Sequence, residues 1–185
     1  IQAQAEESSR QSSGAPARRE LIANRRLSMN ISDLLKPTAV IGSLKVQGKK
    51  HLLQELAVRA AHLTRLPERK IFETLMERER LGTTGVGQGI AIPHGRLADI
   101  GEIVGVFARL ETPIDFDAVD NQPVDLVFML LAPEGAGADH LKALARVSRL
   151  LRNQNATEKL RAAKSAEALY AILTDTTGVS GAQAA

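Results

Sequence analysis

The stretch "PVDLVFMLLAP" at residues 123 to 133 is apolar along almost its whole length, interrupted only by Asp125. A run this short, rich in branched aliphatic residues and bounded by proline at both ends, reads as a strand buried on both faces. Such a strand needs covering layers. The chain on either side offers helical periods: "KKHLLQELAVRAAHLTRL" (49 to 66) sets Leu52, Leu53, Leu56, Ala57, Ala60 and Leu63 on one stripe. "GADHLKALARVSRLLRN" (137 to 153) groups Leu141, Leu144, Ala145, Val147, Leu150 and Leu151 on one broad face.

Further elements follow the same rules. "PERKIFETLMERERLG" begins a second helix with Pro67 in its first turn and Gly82 as its stop signal. "AVIGSLKV" (39 to 46) reads as a short strand or extended pair, and "GIAIPH" (89 to 94) and "IVGVFARL" (103 to 110) read as strands. Residues 156 to 163 and 165 to 174 read as two short helices. The expectation is an α/β fold, a single domain with a central mixed β-sheet flanked by helices.

Composition narrows the function. With 185 residues, 44% of them hydrophobic, the chain suits one domain with a real core. The absence of cysteine removes disulfides, thiolate metal sites and cysteine nucleophiles, and a cytoplasmic location is expected. No apolar run reaches the roughly 18 residues of a membrane-spanning helix, so direct membrane insertion is not expected. The net charge is +3, but residues 1 to 28 hold five arginines against three glutamates, leaving +1 for the remainder. Together with one Tyr, four Phe and no Trp, this argues against nucleic-acid binding.

Residues 1 to 28 are rich in Ser, Ala, Gln and Arg and are expected to be an appendage, whether linker, remnant or natural extension, in which "ELIANRRL" is a candidate short helix. The domain is expected over residues 29 to 177, with Met29 a candidate native start, and residues 178 to 185 form a tail.

The chemistry concentrates in "GTTGVGQGIAIPHGRL" (82 to 97). Its glycines are not a nucleotide loop. The Gly-Lys-Ser/Thr triplet of a Walker A loop is missing, and the dinucleotide pattern needs a strand before and a helix after, whereas the order here is reversed. Two readings remain: a flexible connector, or a run of backbone N–H groups and the hydroxyls of Thr83 and Thr84 suited to an anion. Pro93 restricts the backbone at His94, and Gly95 would let a ligand or another protein approach closely. A neutral imidazole is a good nucleophile near pH 7 and can accept a phosphoryl group. Such a transfer needs positioning and charge neutralisation, for which Arg78 and Arg80 stand just upstream. The competing readings are a structural histidine and a solvated mixed-charge helix end.

His51 and His62 lie on a predicted helix with no metal-ligand spacing between them and read as surface or boundary residues. His140 falls at a predicted helix start, where exposed N–H groups disfavour a positive ring. It is either a neutral donor to a phosphoryl group on His94 or a residue facing water.

The phrases "TGVGQGIAIPHGRL", "LETPIDFDAVDNQPVDLVFMLLAP" and "HLKALARVSRLL" resemble the fructose/mannitol-type IIA domain of the bacterial phosphoenolpyruvate-dependent phosphotransferase system, and within it the stand-alone nitrogen-regulatory branch. The resemblance runs from about Met29 to about Thr177. It implies a mixed sheet flanked by helices and a phosphotransferase component that carries a phosphoryl group without cofactor or metal. It also implies His94 as the phosphorylated histidine, His140 as the second active-site histidine and Arg78 as the active-site arginine. Thr83 and Thr84 are added as candidate phosphoryl-binding residues.

The implied donor is a histidine phosphocarrier protein, and the implied targets are regulatory proteins such as potassium-transport components or sensor kinases. Two alternatives stand beside this: a sugar-specific IIA component passing phosphate to a IIB partner, and an interaction module that is never phosphorylated. Ile90, Ile92, Leu97 and Phe116 are candidates for either a docking rim around His94 or the core.

Overall fold

A computed structural model describes residues 29–175; residues 1 to 28, including "ELIANRRL", and the tail from 178 lie outside the described residues. Among the described residues, six helices and a mixed six-stranded sheet make up an α/β fold. In chain order these are α1 (Ile31–Leu34), β1 (Leu35–Leu44), α2 (Lys49–Thr64), α3 (Glu68–Arg80), β2 (Gly85–Gly87), β3 (Ile90–Ala91), β4 (His94–Leu97), β5 (Val104–Ile114) and β6 (Val124–Pro133). A single 3-10 turn at Glu134–Ala136 leads into α4 (Gly137–Arg152), followed by α5 (Gln154–Ala162) and α6 (Ala166–Thr174).

The apolar run 123 to 133 is the middle of the sheet. β6 pairs antiparallel with β5 on one side and parallel with both β3 and β4 on the other, and Leu126 through Ala132 are fully buried. β1 extends the sheet beyond β5 in parallel, and β2 closes the other end against β3. β1 starts four residues earlier than its apolar composition suggests, because Pro37 is tolerated on an edge strand.

β3 and β4 are one strand path broken at Ile92 and Pro93. Proline has no N–H to give the ladder, yet the Pro93 carbonyl still accepts from Leu130 N–H at 2.9 Å and pairing resumes with His94 opposite Leu130. Strand alternation then decides what faces where. Gly95 points at α3, where an added Cβ would lie 2.6 Å from Cγ2 of Thr74. His94 and Arg96 therefore point to the other face, toward the start of α4. Gly95 is thus required by helix–strand packing within the chain, and not to admit a ligand or partner as its position in the sequence suggested.

The glycine-rich stretch is neither a connector nor an open anion loop. Gly87 and Ile90 pair across a two-residue turn, and Gln88 and Gly89 both have positive φ (58° and 78°), the geometry of a type I′ hairpin. Several of its N–H groups are committed within the protein: Gly85 N–H donates to Oγ1 of Thr83 and Gln88 N–H to Oδ2 of Asp120. Arg161 locks the turn from α5 by donating to the Gln88 carbonyl at 2.9 Å and to both carboxylate oxygens of Asp125.

Candidate functional site

Three elements converge at the end of β6 where the chain turns toward α4. β4 supplies His94, the last turn of α3 supplies Arg78, and the first turn of α4 supplies His140. The rings of His94 and His140 lie 5.7 Å apart, centre to centre, tilted by 52°.

The hydrogen bonds on His94 settle its tautomer. Nδ1 lies 2.9 Å from the Ile92 carbonyl, which can only accept, so Nδ1 carries the proton. Nε2 accepts from the Arg78 guanidinium, whose Nε–H donates at 3.0 Å, so Nε2 holds the lone pair. The two bonds agree and make Nε2 the nucleophilic nitrogen. Arg78 is anchored in turn by Nη1–H donating to the Gly82 carbonyl at 3.0 Å.

Both histidines are kept neutral. Burial pushes the His94 pKa below its ordinary value; the Ile92 bond and the Glu79 carboxylate oppose this, while the Arg78 and Arg96 charges add to it. His140 is buried, and desolvation lowers its pKa, with further contributions from His94 and Arg96. Its Nδ1 is buried without a hydrogen-bond partner, the one such side-chain atom among the described residues.

The threonines are placed differently from the sequence expectation. Thr84 is buried, and its N–H and hydroxyl donate to the carboxylate of Glu79, the hydroxyl at 2.6 Å. Thr83 donates its hydroxyl to the Phe116 carbonyl at 3.2 Å. Both hydroxyls and the Thr84 N–H are therefore occupied within the protein as the structure stands. Arg80 is exposed on the helix end.

His51 accepts from the Gln47 N–H and lies 3.5 Å from Glu55, and His62 is exposed. Among the described residues no group of three His, Asp or Glu could hold a metal ion, and no helix is long and apolar enough to cross a membrane.

Ile90, Ile92, Leu97 and Phe116 are all buried and belong to the core. The exposed large apolar side chains are instead Leu81, Val86, Val119 and Leu141. Leu81 follows the helix end bearing Arg78, and Leu141 follows His140. The helical stripe of α4 is therefore rotated from its expected position: His140 and Ala143 face the core while Leu141 is 62% exposed.

Two residues escaped the sequence reading. Arg96 shares the His94 face by strand alternation, a signal available from the period of two. Glu79 looks like one charge among several, and nothing local marks it as the buried one.

A mixed-sheet α/β domain that presents a neutral, arginine-bound imidazole beside a second histidine defines a class, and the comparisons agree with it. Residues 33–176 match the family described as "Phosphoenolpyruvate-dependent sugar phosphotransferase system, EIIA 2", and the chain belongs to that family. Within it the similarity is to the nitrogen-regulatory branch. The chain is 61% identical over 145 residues to the nitrogen regulatory protein of Bradyrhizobium diazoefficiens, covering 78% of this chain and 95% of that protein. It is 44% identical over 156 residues to that of Escherichia coli, covering 84% and 96%. The crystal structure of the nitrogen regulatory protein IIA-Ntr from Neisseria meningitidis superposes with a TM-score of 0.75 at 39% identity, over 78% of this chain and 99% of that one.

Proposed function

We propose that this IIA component of the nitrogen-type phosphotransferase system accepts a phosphoryl group on Nε2 of His94 from the phosphohistidine of a histidine phosphocarrier protein. The observation that carries the reading is the pair of bonds fixing Nδ1 as protonated and Nε2 as the free lone pair under an arginine.

The step is an in-line displacement. The Nε2 lone pair forms the new P–N bond as the donor's P–N bond breaks. The donor phosphohistidine, already protonated on its other ring nitrogen, takes the electron pair of the broken bond and leaves as a neutral imidazole, while His94 keeps its Nδ1 proton on the Ile92 carbonyl. Arg78 first releases Nε2 and moves onto the phosphoryl oxygens, where its charge offsets theirs. His140 lies close enough to donate to one of those oxygens. The first-turn N–H groups of α4, which has no side-chain cap, favour the added negative charge. Both donor and product are phosphoramidates, so transfer is reversible and needs no metal or cofactor.

Phosphorylation places a dianion among the exposed Leu81 and Leu141, which changes what that surface binds. The partners are accordingly the phosphocarrier donor and cytoplasmic regulatory proteins, of the potassium-transport or sensor-kinase kind implied by the resemblance.

The test is intact mass spectrometry at neutral to basic pH after incubation with phosphoenolpyruvate, an enzyme I and a histidine phosphocarrier, with chelator present. One acid-labile phosphoryl group on the wild type and none on His94→Ala is the expected result. No gain from donors active on another IIA protein would leave an unphosphorylated interaction module.

A further inference from the structure

We infer that Glu79 is a positioning residue for phosphoryl transfer, acting on His94 through a hydrogen-bond relay that passes by way of Thr84 and Ile92. The inference rests on the reading of His94 as the phosphoryl acceptor.

Glu79 sits beside Arg78 at the end of α3, yet its side chain is buried. Burying a carboxylate is costly unless it is paired and bonded. Here Lys49, the first residue of α2, lies 2.8 Å from Oε1, and Lys49 is itself held 3.1 Å from Asp117 and 4.8 Å above the Phe116 ring. The other bonds to the carboxylate come from one residue. Thr84 donates its N–H to both oxygens at 3.1 Å and its hydroxyl to Oε2.

The relay continues from there. The Thr84 carbonyl accepts from Ile92 N–H at 2.9 Å, and the Ile92 carbonyl accepts from Nδ1–H of His94 at 2.9 Å. Ile92 bonds on the side away from β6, whose described bonds to this path are accepted by the Gly89 and Pro93 carbonyls, so the bond to Thr84 is the described backbone tie on Ile92 next to the carbonyl that His94 uses. The orientation of the acceptor that selects the His94 tautomer therefore depends on where Glu79 holds Thr84.

Charge gives the same residue a second route to His94. The groups facing the ring are Arg78 and Glu79 from α3, Arg96 from β4 and His140 from α4. Among these Glu79 is the only anion, so with the Ile92 carbonyl it favours the protonated ring, and Lys49 tempers its effect.

The experiment compares wild type, Glu79→Gln and Lys49→Met in the full chain by nitrogen-detected NMR of the His94 ring and by transfer rate from a phosphorylated donor. Gln keeps the shape and one acceptor but removes the charge and the fixed set of acceptors. The expected result for E79Q is a lower His94 pKa, a detectable Nε2–H tautomer, and transfer slowed by about 10- to 100-fold. K49M should move the His94 pKa in the opposite direction, since it leaves the Glu79 charge less compensated, and it carries the test if E79Q does not fold.

A purely structural Glu79 would lower thermal stability while leaving the His94 pKa and tautomer as in wild type, and that outcome overturns the inference. The ring measurements need no phosphoryl donor. A failure of the carrier reading, shown by an unphosphorylated wild type, is therefore distinguishable from a failure of the relay.

Discussion

Replacing Gly95 by alanine should force β4 away from α3 at the level of His94. The added Cβ would lie 2.6 Å from Cγ2 of Thr74, about 1 Å inside an ordinary carbon–carbon contact. Thr74 cannot yield easily. It is β-branched within a helix, and its hydroxyl is pinned to the Lys70 carbonyl at 2.9 Å. Overpacking of this kind costs about 1–3 kcal/mol, which for a domain of this size lowers Tm by roughly 2–12 °C.

The same displacement reaches the chemistry, because Arg78 lies one helical turn beyond Thr74 and its 3.0 Å bond to His94 spans the two elements being separated. Thermal unfolding and transfer rate, measured together, give the assay. Thr74→Ser removes Cγ2 while keeping the hydroxyl, so the double variant should recover most of both losses, with a coupling of about 1–2 kcal/mol. Two results would refute this reasoning. One is a G95A protein within about 0.5 kcal/mol of wild type with unchanged transfer. The other is a double variant no better than G95A.

Acid should destabilise the protein through its two site histidines. Because both folded pKa values are lowered, the unfolded chain binds protons more readily. The stability gained by keeping the rings neutral is complete above about pH 6.5 and is lost as pH falls below it. Tm measured from pH 8 to pH 5 should fall, and His140→Gln should flatten that slope; an unflattened slope would exclude His140 as a contributor. Arg78→Ala should raise the His94 pKa, since the guanidinium charge lowers it, and an NMR titration reads this directly. Leu81→Ser and Leu141→Ser should leave stability within about 0.5 kcal/mol while weakening binding of the phosphocarrier donor. Calorimetric titration checks this, and unchanged affinity in both variants would place the docking face elsewhere.

What the sequence makes legible, and what it hides, divides along the range of the forces involved. β6 is readable because a buried strand writes its burial into every position, and α2 because its stripe is local. Arg78, His94 and His140 are identifiable as chemistry, but their meeting depends on β4 lying parallel to β6, which no spacing among positions 78, 94 and 140 encodes. The glycine run has the same local composition whether it is an anion loop or a hairpin. The choice is made by a distant loop, where Asp120 takes the Gln88 N–H and Ala118 fills the space beside Gly85.

Glu79 is the extreme case. Its neighbours Arg78 and Arg80 make it look like part of a solvated helix end, and its burial is made tolerable by Lys49, contributed by a different helix, together with the donors of Thr84. That dependence is also why the site is sensitive there. A charge whose placement needs partners from α2, from the segment before β2 and from the loop after β5 reports on the docking of all three. The imidazole at the end of the Thr84–Ile92 relay is consequently oriented by the packing of the whole domain end, acting through its sequence neighbour Ile92.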